Sequence, residues 1–256
     1  MIILKSKPEL AAMRESGRIV ALMLEELRQK IKPGVTTGQL DAVAAKLLDK
    51  FGAKSPFKNY PNHNRKLRPF PAYTCISVNE ELVHGVPGKR VLKEGDIISI
   101  DCGAIYKGWV GDGGWTFPVG QISPNTQRLL DVTEGALYEA IKHCRVGVRT
   151  GDVSAILQKF DESRGFNVVR EYTSHGVGRS MHEDPQVPNV GDPGKGPKLR
   201  PGMTIAMEPM VLAGKPETKV LPDQWTVASK DGKLTAHFEH TIAIMDEQPE
   251  ILTLLN

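Results

Sequence analysis

Two apolar runs of this sequence each end on a carboxylate. They are "GDIISID" from Gly95 to Asp101 and "GMTIAME" from Gly202 to Glu208. Each pattern predicts a buried strand that follows a turn. A buried carboxylate is costly unless a partner or a metal ion stabilises it. Two such acids at matching positions therefore predict a shared metal or acid–base site at the ends of two strands.

Three further residues can join this site. Asp112 follows Asp101 across a glycine-rich segment, which predicts a hairpin that returns it beside Asp101. Glu239 lies in the apolar run "AHFEHTIAI", and His175 in "YTSHGVGRSMHEDP" adds an imidazole. Four clustered carboxylates would repel one another unless two divalent cations balanced their charge. Oxygen-rich ligation with one imidazole favours Mn²⁺, Fe²⁺, Co²⁺ or Zn²⁺.

Helical and strand patterns alternate along the chain and would position these residues. A capping pair, Ser6 with Glu9, predicts the start of a long helix that Pro33 ends. The remaining predicted elements are a helix after Thr36 or Thr37, strands over 72–78, 96–101 and 115–119, a long helix from Pro124 to about Cys144, and a shorter one through Phe160. The fold class is therefore predicted as α/β (α+β).

The second half of the sequence repeats the first. "GVTTGQLDAVAAKLL" from Gly34 aligns without a gap with "GVRTGDVSAILQKFD" from Gly147. The tripeptide "HGV" occurs at His84 and at His175, and the two runs that end on carboxylates follow in the same order. The repeat predicts two halves, about 1–120 and 121–256, related by a pseudo-two-fold axis. That axis would bring Asp101 and Glu208 to face each other.

Composition excludes several classes of protein. The chain has 256 residues, a net charge of +3 and 40% hydrophobic residues, which gives no strong expectation of nucleic-acid or membrane binding. Its apolar runs are shorter than a membrane span, and the N-terminus lacks a signal-peptide pattern. Three scattered cysteines predict neither a disulfide framework nor a zinc finger. The sequence thus predicts a soluble cytoplasmic protein.

Five motifs in this order resemble the type I methionine aminopeptidases: "NEELVHGVP", "DCGAIYKGWVGD", "SHGVGRSMHEDP", "AMEPM" and "FEHTIAI". The resemblance extends over nearly the whole chain. It implies the pita-bread fold, in which helices back a curved antiparallel sheet, with residues 1–256 forming a single catalytic domain. It also implies removal of the initiator methionine from nascent proteins whose second residue is small.

The resemblance also assigns roles to the candidate ligands. Two divalent ions per subunit (Co, Mn, Fe, Zn or Ni) are implied, and the sequence does not identify the native metal. Asp112 and Glu239 would bridge the ions, Asp101 would bind one in bidentate fashion, and His175 and Glu208 would bind the other. A metal-bridging water or hydroxide would attack the scissile carbonyl.

Further site residues follow from the same motifs. Glu208 would shuttle protons, His182 would contact the scissile carbonyl, and His84 would bind the amide beyond it. The residues implied to line the methionine pocket are Phe70, Cys75, Met181 and Trp225.

The sequence departs from the family pattern at several positions. Gly113 stands where Thr or Ser is common, Met181 where an aromatic residue is usual, and His237 where Gln is common. The stretch 59–69 is longer than the corresponding loop of the family. If a hydroxyl at position 113 supported Asp112, Gly113→Thr would tighten metal retention.

Two other functions fit the same fold. X-Pro aminopeptidases and prolidases share the metal ligands but usually carry an additional N-terminal domain, for which we expect no residues here. A non-catalytic binding protein of this fold would lack metal ligands, whereas all five are present. For the favoured function, the resemblance implies the N-terminal methionine of nascent polypeptides as substrate, and we also expect transient contact with the ribosome. The sequence does not settle monomer versus dimer, but we expect a monomer because no coiled-coil or swap segment argues for an oligomer.

Overall fold

The computed structural model describes residues 1–62 and 64–255, in which helices pack on a curved antiparallel sheet. His63, in the basic stretch 59–69, lies outside the described residues. The helices are α1 (Lys7–Arg28), α2 (Thr37–Phe51), α3 (Pro124–His143) and α4 (Thr150–Glu162). The strands are β1 (Cys75–Val78), β2 (Glu81–Val83), β3 (Ile97–Tyr106), β4 (Trp109–Pro118), β5 (Asn167–Val168), β6 (Thr173–Gly176), β7 (Glu183–Pro188), β8 (Thr204–Met207), β9 (Met210–Leu212), β10 (Thr218–Val220), β11 (Val227–Ser229), β12 (Thr235–His237), β13 (Glu239–Ala243) and β14 (Glu250–Ile251).

Helix α1 begins where the capping pair predicts and ends earlier than expected. The backbone N–H of Ser6 donates to Glu9 Oε2 at 2.8 Å, which satisfies one of the donors at the helix start. The helix ends at Arg28, so Ile31 lies in the following turn and not on the helical face. Among the described residues, no helix has the length and apolar character needed to span a bilayer.

The order of strands in the main sheet reflects the predicted duplication. That order is β1-β3-β4-β13-β8-β6-β7, with β14 paired to β13. β4 and β13 are central, β3 and β8 flank them, and β1 and β6 come next. Asp101 in β3 and Glu208 directly after β8 thus belong to equivalent strands. The "HGV" repeat does not share this equivalence, because His84 follows β2 outside the main sheet whereas His175 lies within β6.

The β3–β4 hairpin is longer than the sequence predicts. Its turn is the pair Lys107-Gly108, with φ angles of 50° and 79°, the positive values that a two-residue hairpin turn requires. Gly103 and Gly111 lie inside the strands and not in the turn. A Cβ atom at Gly103 would stand 2.3 Å from Pro56 Cγ, and one at Gly111 would stand 2.7 Å from the Gly17 backbone nitrogen. These glycines therefore allow close packing against a loop and α1.

The helices cover one face of the sheet and leave the other face to the polar side chains. Val20 of α1 and Ile100 of β3 are completely buried in one cluster, and Leu137 of α3 and Ile205 of β8 in another. Since successive side chains of a strand alternate between faces, Asp101 projects away from α1. Burial of the apolar face thus determines where this carboxylate points.

Asp161, in the last turn of α4, is a buried acid far from the predicted site. It is 0% exposed, and neither carboxylate oxygen has a hydrogen-bond partner among the described residues. Burial raises its pKa to about 8. The aligned residue of the first half is Leu48, which is buried in the core. Asp161 therefore occupies a core position of the repeat.

Asp161→Asn is expected to stabilise the protein at alkaline pH. The pKa of Asp161 in the folded state exceeds that of an unfolded aspartate, about 3.9, so folding takes up a proton between these values. The free energy of unfolding of the unsubstituted protein consequently falls as pH rises from about 4 to about 8. The free energy of unfolding of Asp161→Asn minus that of the unsubstituted protein should increase by about 2–4 kcal/mol between pH 5 and pH 9. Urea denaturation would measure both values. Asp49→Asn, at an exposed position near the end of α2, is the matched control; a pH-independent difference would contradict the expectation.

Candidate metal centre

The five predicted ligands converge on one cavity from five strands. Asp101, Asp112 and His175 lie within β3, β4 and β6, Glu239 begins β13, and Glu208 follows β8. All five line the same cavity of about 720 Å³. Within the hairpin, Asp101 and Asp112 lie on the same face, since they pair with Gly114 and Gly103 respectively.

The polar atoms of these side chains have the spacing of ligands around an ion. Asp112, His175 and Glu239 each offer one ligand atom, and these atoms lie within 4.8 Å of one another. His175 Nε2 is 3.7 Å from Asp112 Oδ2 and 3.5 Å from Glu208 Oε1. Hydrogen bonds between such atoms are shorter, whereas two atoms about 2.1 Å from one metal ion are separated by about 3–4 Å.

Unpartnered buried oxygens show that the side chains fit a cation. Asp101 Oδ1, Asp112 Oδ1 and Glu239 Oε1 are buried without a hydrogen-bond partner among the described residues. Such atoms are rare in folded proteins, because burial without a partner forfeits their hydration. A divalent cation would satisfy these oxygens.

The raised pKa values of the four carboxyl groups in the metal-free protein also indicate a site for a cation. Burial, followed by the charges of neighbouring acids, raises the pKa values of Asp101 and Glu239 well above their usual range. Burial raises the pKa of Asp112 to about 8 and also raises that of Glu208. The carboxylates would ionise fully only if positive charge entered the cluster.

His175 presents a lone pair to the cluster. Its Nδ1 lies 2.9 Å from the carbonyl oxygen of Gly176, which accepts a hydrogen bond from the Nδ1–H tautomer. This tautomer leaves Nε2 unprotonated and directed at Asp112 and Glu208. Burial and then the neighbouring His182 lower the pKa of His175 to about 3, so the imidazole stays neutral, as a metal ligand must.

His182 and His84 occupy the same cavity as the ligands, as the motifs predict. The ring of His182 lies 4.3 Å from that of His175, measured between centroids. Its Nδ1 is 2.6 Å from the hydroxyl of Tyr60, a residue that the sequence did not single out. The ring of His84 lies 5.7 Å from that of Tyr172.

A buried ion pair anchors the loop that carries His182. Lys5 Nζ is 2.6 Å from Glu183 Oε2, and the two side chains are 1% and 6% exposed. Glu183 Oε1 also accepts hydrogen bonds from the backbone N–H groups of Arg179 and Ser180, at 2.8 and 3.2 Å. These contacts immobilise the segment that precedes β7 and thereby the adjacent His182.

The four predicted pocket residues lie together beside the ligands. Phe70 and Trp225 meet edge to face, with ring centroids 5.2 Å apart, and Cys75 and Met181 line the same cavity. Burial, followed by the charge of Asp101, raises the pKa of the Cys75 thiol, which therefore stays neutral. The result is an apolar, sulfur-containing slot next to a polar floor.

Backbone hydrogen bonds close the long stretch 59–69 into a loop at the edge of this slot. Asn59 N–H donates to the carbonyl of Phe70, and Phe70 N–H donates to the carbonyl of Tyr60, both at 2.9 Å. Trp225 Nε1–H donates to the carbonyl of Arg68 at 3.1 Å. These bonds hold Phe70 and Trp225 together at the edge of the slot.

The expectation for Gly113 is wrong in its geometry. Gly113 pairs with Cys102 and lies on the opposite face of β4 from Asp112. A Cβ atom there would stand 3.1 Å from Val20 Cγ1 of α1. A threonine at this position would point at the helix and could not hydrogen bond to the Asp112 carboxylate, so Gly113→Thr is not expected to tighten metal retention.

His237 belongs to this cluster, although the sequence identified it only as a departure from the family. Its Nε2 lies 3.5 Å from Glu208 Oε2 and 3.8 Å from Glu239 Oε2. Its position two residues before Glu239 could have indicated this, because the sequence predicts one apolar strand through both positions, in which residues two apart share a face. In the structure His237 ends β12 and Glu239 begins β13.

Residues 11–246 match metallopeptidase family M24. Methionine aminopeptidase 1 of Bacillus subtilis (strain 168) is 53% identical over 253 residues, which cover 99% of each chain. The methionine aminopeptidase of Aquifex aeolicus (strain VF5) is 46% identical over 257 residues, again covering 99% of each chain.

Solved structures of related proteins have the same fold as this chain. The crystal structure of methionine aminopeptidase from Thermotoga maritima matches with a TM-score of 0.95 and 45% identity and covers 100% of both chains. The prolidase from Pyrococcus furiosus matches with a TM-score of 0.79 at 21% identity, over 99% of this chain and 66% of that one. This second likeness shows a shared fold alone.

Proposed function

The chain belongs to metallopeptidase family M24, and from that premise we propose that it is a methionine aminopeptidase that removes the initiator methionine of nascent proteins whose second residue is small. The observation that carries the proposal is a cluster of four carboxylates and one imidazole on the floor of an apolar cavity. Full-length relatives named methionine aminopeptidase support the same conclusion.

The cluster would hold two divalent ions. Asp112 and Glu239 would be shared, Asp101 would serve one ion, and His175 and Glu208 would serve the other. Two ions would balance the combined charge of the four carboxylates, whose unpartnered oxygens support this assignment. Bound there, the ions would supply Lewis acidity at the scissile carbonyl and lower the pKa of water.

The surrounding side chains would orient the peptide and move protons. Glu208 would accept a proton at a carboxylate oxygen and return it to the leaving amine. The Tyr60 hydroxyl lies at Nδ1 of His182, where it can donate a hydrogen bond and place the imidazole proton on Nε2. His182 Nε2–H would then donate to the oxygen of the scissile carbonyl. His84 would bind the amide beyond it.

The apolar slot would select methionine. Phe70, Cys75, Met181 and Trp225 offer aromatic edges and polarizable sulfur to a thioether side chain. The slot excludes water from one side of the cluster, which strengthens the electrostatic interactions of the polar floor with the peptide.

Tyr60→Phe is expected to lower kcat/KM for methionine release by about tenfold, the value of one hydrogen bond to an imidazole that acts on the reacting carbonyl. Metal affinity should not change, since the Tyr60 hydroxyl contacts His182, which is not one of the five proposed ligands. Steady-state kinetics and calorimetric metal titration would measure both quantities, with Tyr138→Phe on α3 as the matched control. An unchanged kcat/KM would show that the Tyr60–His182 contact has no part in the reaction.

The substrate also suggests where the enzyme acts in the cell. Initiator methionines become accessible as chains leave the ribosome, so we propose a cytoplasmic enzyme that contacts the ribosome transiently. Residues 1–256 would act as one catalytic domain and as a monomer. The names of the bacterial relatives support an N-terminal methionine as the substrate.

Peptide selectivity tests the proposed activity. Metal-loaded enzyme should release methionine rapidly from Met-Gly-Met-Met, slowly from Met-Leu-Met-Met, and should not cleave Ala-Pro-Ala. Liquid chromatography of the products would measure the three rates. Cleavage of Ala-Pro-Ala alone would instead assign the protein to the X-Pro aminopeptidases, and folded enzyme that cleaves none of the three would contradict a peptidase function.

A further inference from the structure

His237 places a second buried imidazole against the proposed metal ligands. It ends β12, two residues before Glu239, and its side chain is 2% exposed. Its Nε2 atom is buried and has no hydrogen-bond partner among the described residues. A polar atom in this state needs a partner that the side chains themselves do not supply.

The distances of His237 match those of His175. His237 Nε2 lies 3.5 Å from Glu208 Oε2 and 3.8 Å from Glu239 Oε2. His175 Nε2 lies 3.5 Å from Glu208 Oε1 and 3.7 Å from Asp112 Oδ2. Glu208 therefore lies between two imidazoles, one at each of its oxygens. If such distances mark His175 as sharing an ion with its neighbours, they mark His237 equally.

Gly114 provides the space in which the His237 ring sits. A Cβ atom at Gly114 would stand 3.0 Å from His237 Cε1, 3.2 Å from its Nδ1 and 3.4 Å from Glu239 Oε2. Gly114 also pairs with both Asp101 and Glu239 in the sheet. The glycine thus allows the His237 imidazole to approach Glu239 closely.

We propose that His237 is a sixth ligand of the metal centre, so that the centre contains two imidazoles instead of one. The inference rests on the proposed metal centre and extends it. A second nitrogen donor favours metals that bind imidazole well, such as Co²⁺, Fe²⁺, Ni²⁺ and Zn²⁺, over Mn²⁺, which prefers oxygen ligands. Position 237 is therefore a determinant of metal preference.

The experiment counts imidazoles bound to Co²⁺ in the full-length protein. Proton NMR of the Co²⁺-loaded protein resolves the exchangeable N–H signal of each coordinated imidazole, strongly shifted by the paramagnetic ion. The wild-type protein should show two such signals and the His237→Gln variant one. Glutamine is the residue common at this position in the family, which makes the substitution compatible with the fold.

Calorimetric titration gives a second readout. The ratio of the Mn²⁺ dissociation constant to that of Co²⁺ should fall about tenfold in His237→Gln. His143→Gln, on the exposed surface of α3, makes the same chemical change away from the centre and should leave the ratio unchanged.

The outcomes separate this inference from the proposed function. Wild-type protein that binds Co²⁺ and shows only one shifted imidazole signal would overturn the assignment of His237, whatever the variant shows. The proposed metal centre would then stand. Wild-type protein that binds no Co²⁺ would overturn the metal centre and the inference together. Two signals in wild-type protein that both persist in His237→Gln would assign the second imidazole to another histidine and overturn the inference.

Discussion

Asp112→Asn is expected to abolish methionine release while it stabilises the metal-free protein. Asp112 lies at the centre of the cluster, near His175, and shares a group of ligand atoms with Glu239. Without its carboxylate the two proposed ions would lose the ligand that they share, and kcat/KM should fall on the order of 10⁴-fold. The same change removes a buried acid whose pKa is raised to about 8 by burial and then by Glu208, so that it must take up a proton on folding at neutral pH. The metal-free variant should therefore unfold about 2–8 °C higher than metal-free wild type at pH 7.

Thermal unfolding with and without metal would test both effects. Wild-type protein at a metal concentration 100 times Kd should gain about 2.7 kcal/mol, whereas Asp112→Asn should gain almost nothing. Asp131→Asn, at an exposed position on α3, is the matched control. A variant that retained the full metal-induced shift would show that Asp112 is not a ligand. A metal-free variant that melts at a lower temperature than metal-free wild type would contradict the claim that the buried Asp112 destabilises the metal-free protein.

His182→Ala is expected to lower kcat by about 10²–10³-fold with little change in KM or metal affinity. His182 lines the cavity beside His175, and its proposed interaction with the carbonyl oxygen strengthens as negative charge develops there. An interaction made mainly in the transition state affects kcat, whereas loss of a ligand would affect metal affinity.

Metal titration and steady-state kinetics distinguish these cases. The control is His143→Ala, a partly exposed histidine of α3 whose Nδ1 lies 3.5 Å from Glu139 Oε1. An unchanged kcat in His182→Ala would remove His182 from the reaction. A large fall in metal affinity would instead identify His182 as a ligand.

Much of the site could be predicted because its residues follow the period of their strands. Asp101 and Glu208 end apolar runs, and Asp112 shares a face with Asp101 by simple alternation. The end of the hairpin was less predictable, since glycine is unfavourable in strands and suggests a turn. Gly103 and Gly111 lie within the strands because the neighbouring loop and α1 approach too closely for a side chain.

Other features depend on contacts that no local pattern reveals. The Tyr60–His182 contact joins residues 122 positions apart, and Tyr60 lies within the stretch 59–69, whose described residues form no helix or strand that would indicate where its side chain points. Asp161 aligns in the repeat with Leu48, which is buried in the core. Its residue type nevertheless predicts an exposed position, so the burial of Asp161 could not be predicted from the local sequence. The prediction that a hydroxyl at position 113 would support Asp112 was wrong, because the family resemblance indicates a residue type and not the face of the strand on which it lies.

Methionine release from Met-Gly-Met-Met by chelator-treated enzyme tests the central claim most directly, with and without added Co²⁺, Mn²⁺ or Fe²⁺. We predict no release after chelation, restoration by at least one of these metals, and no restoration in Asp112→Asn. Equal release by folded enzyme with and without metal would contradict the claim that these carboxylates and His175 form a catalytic metal centre.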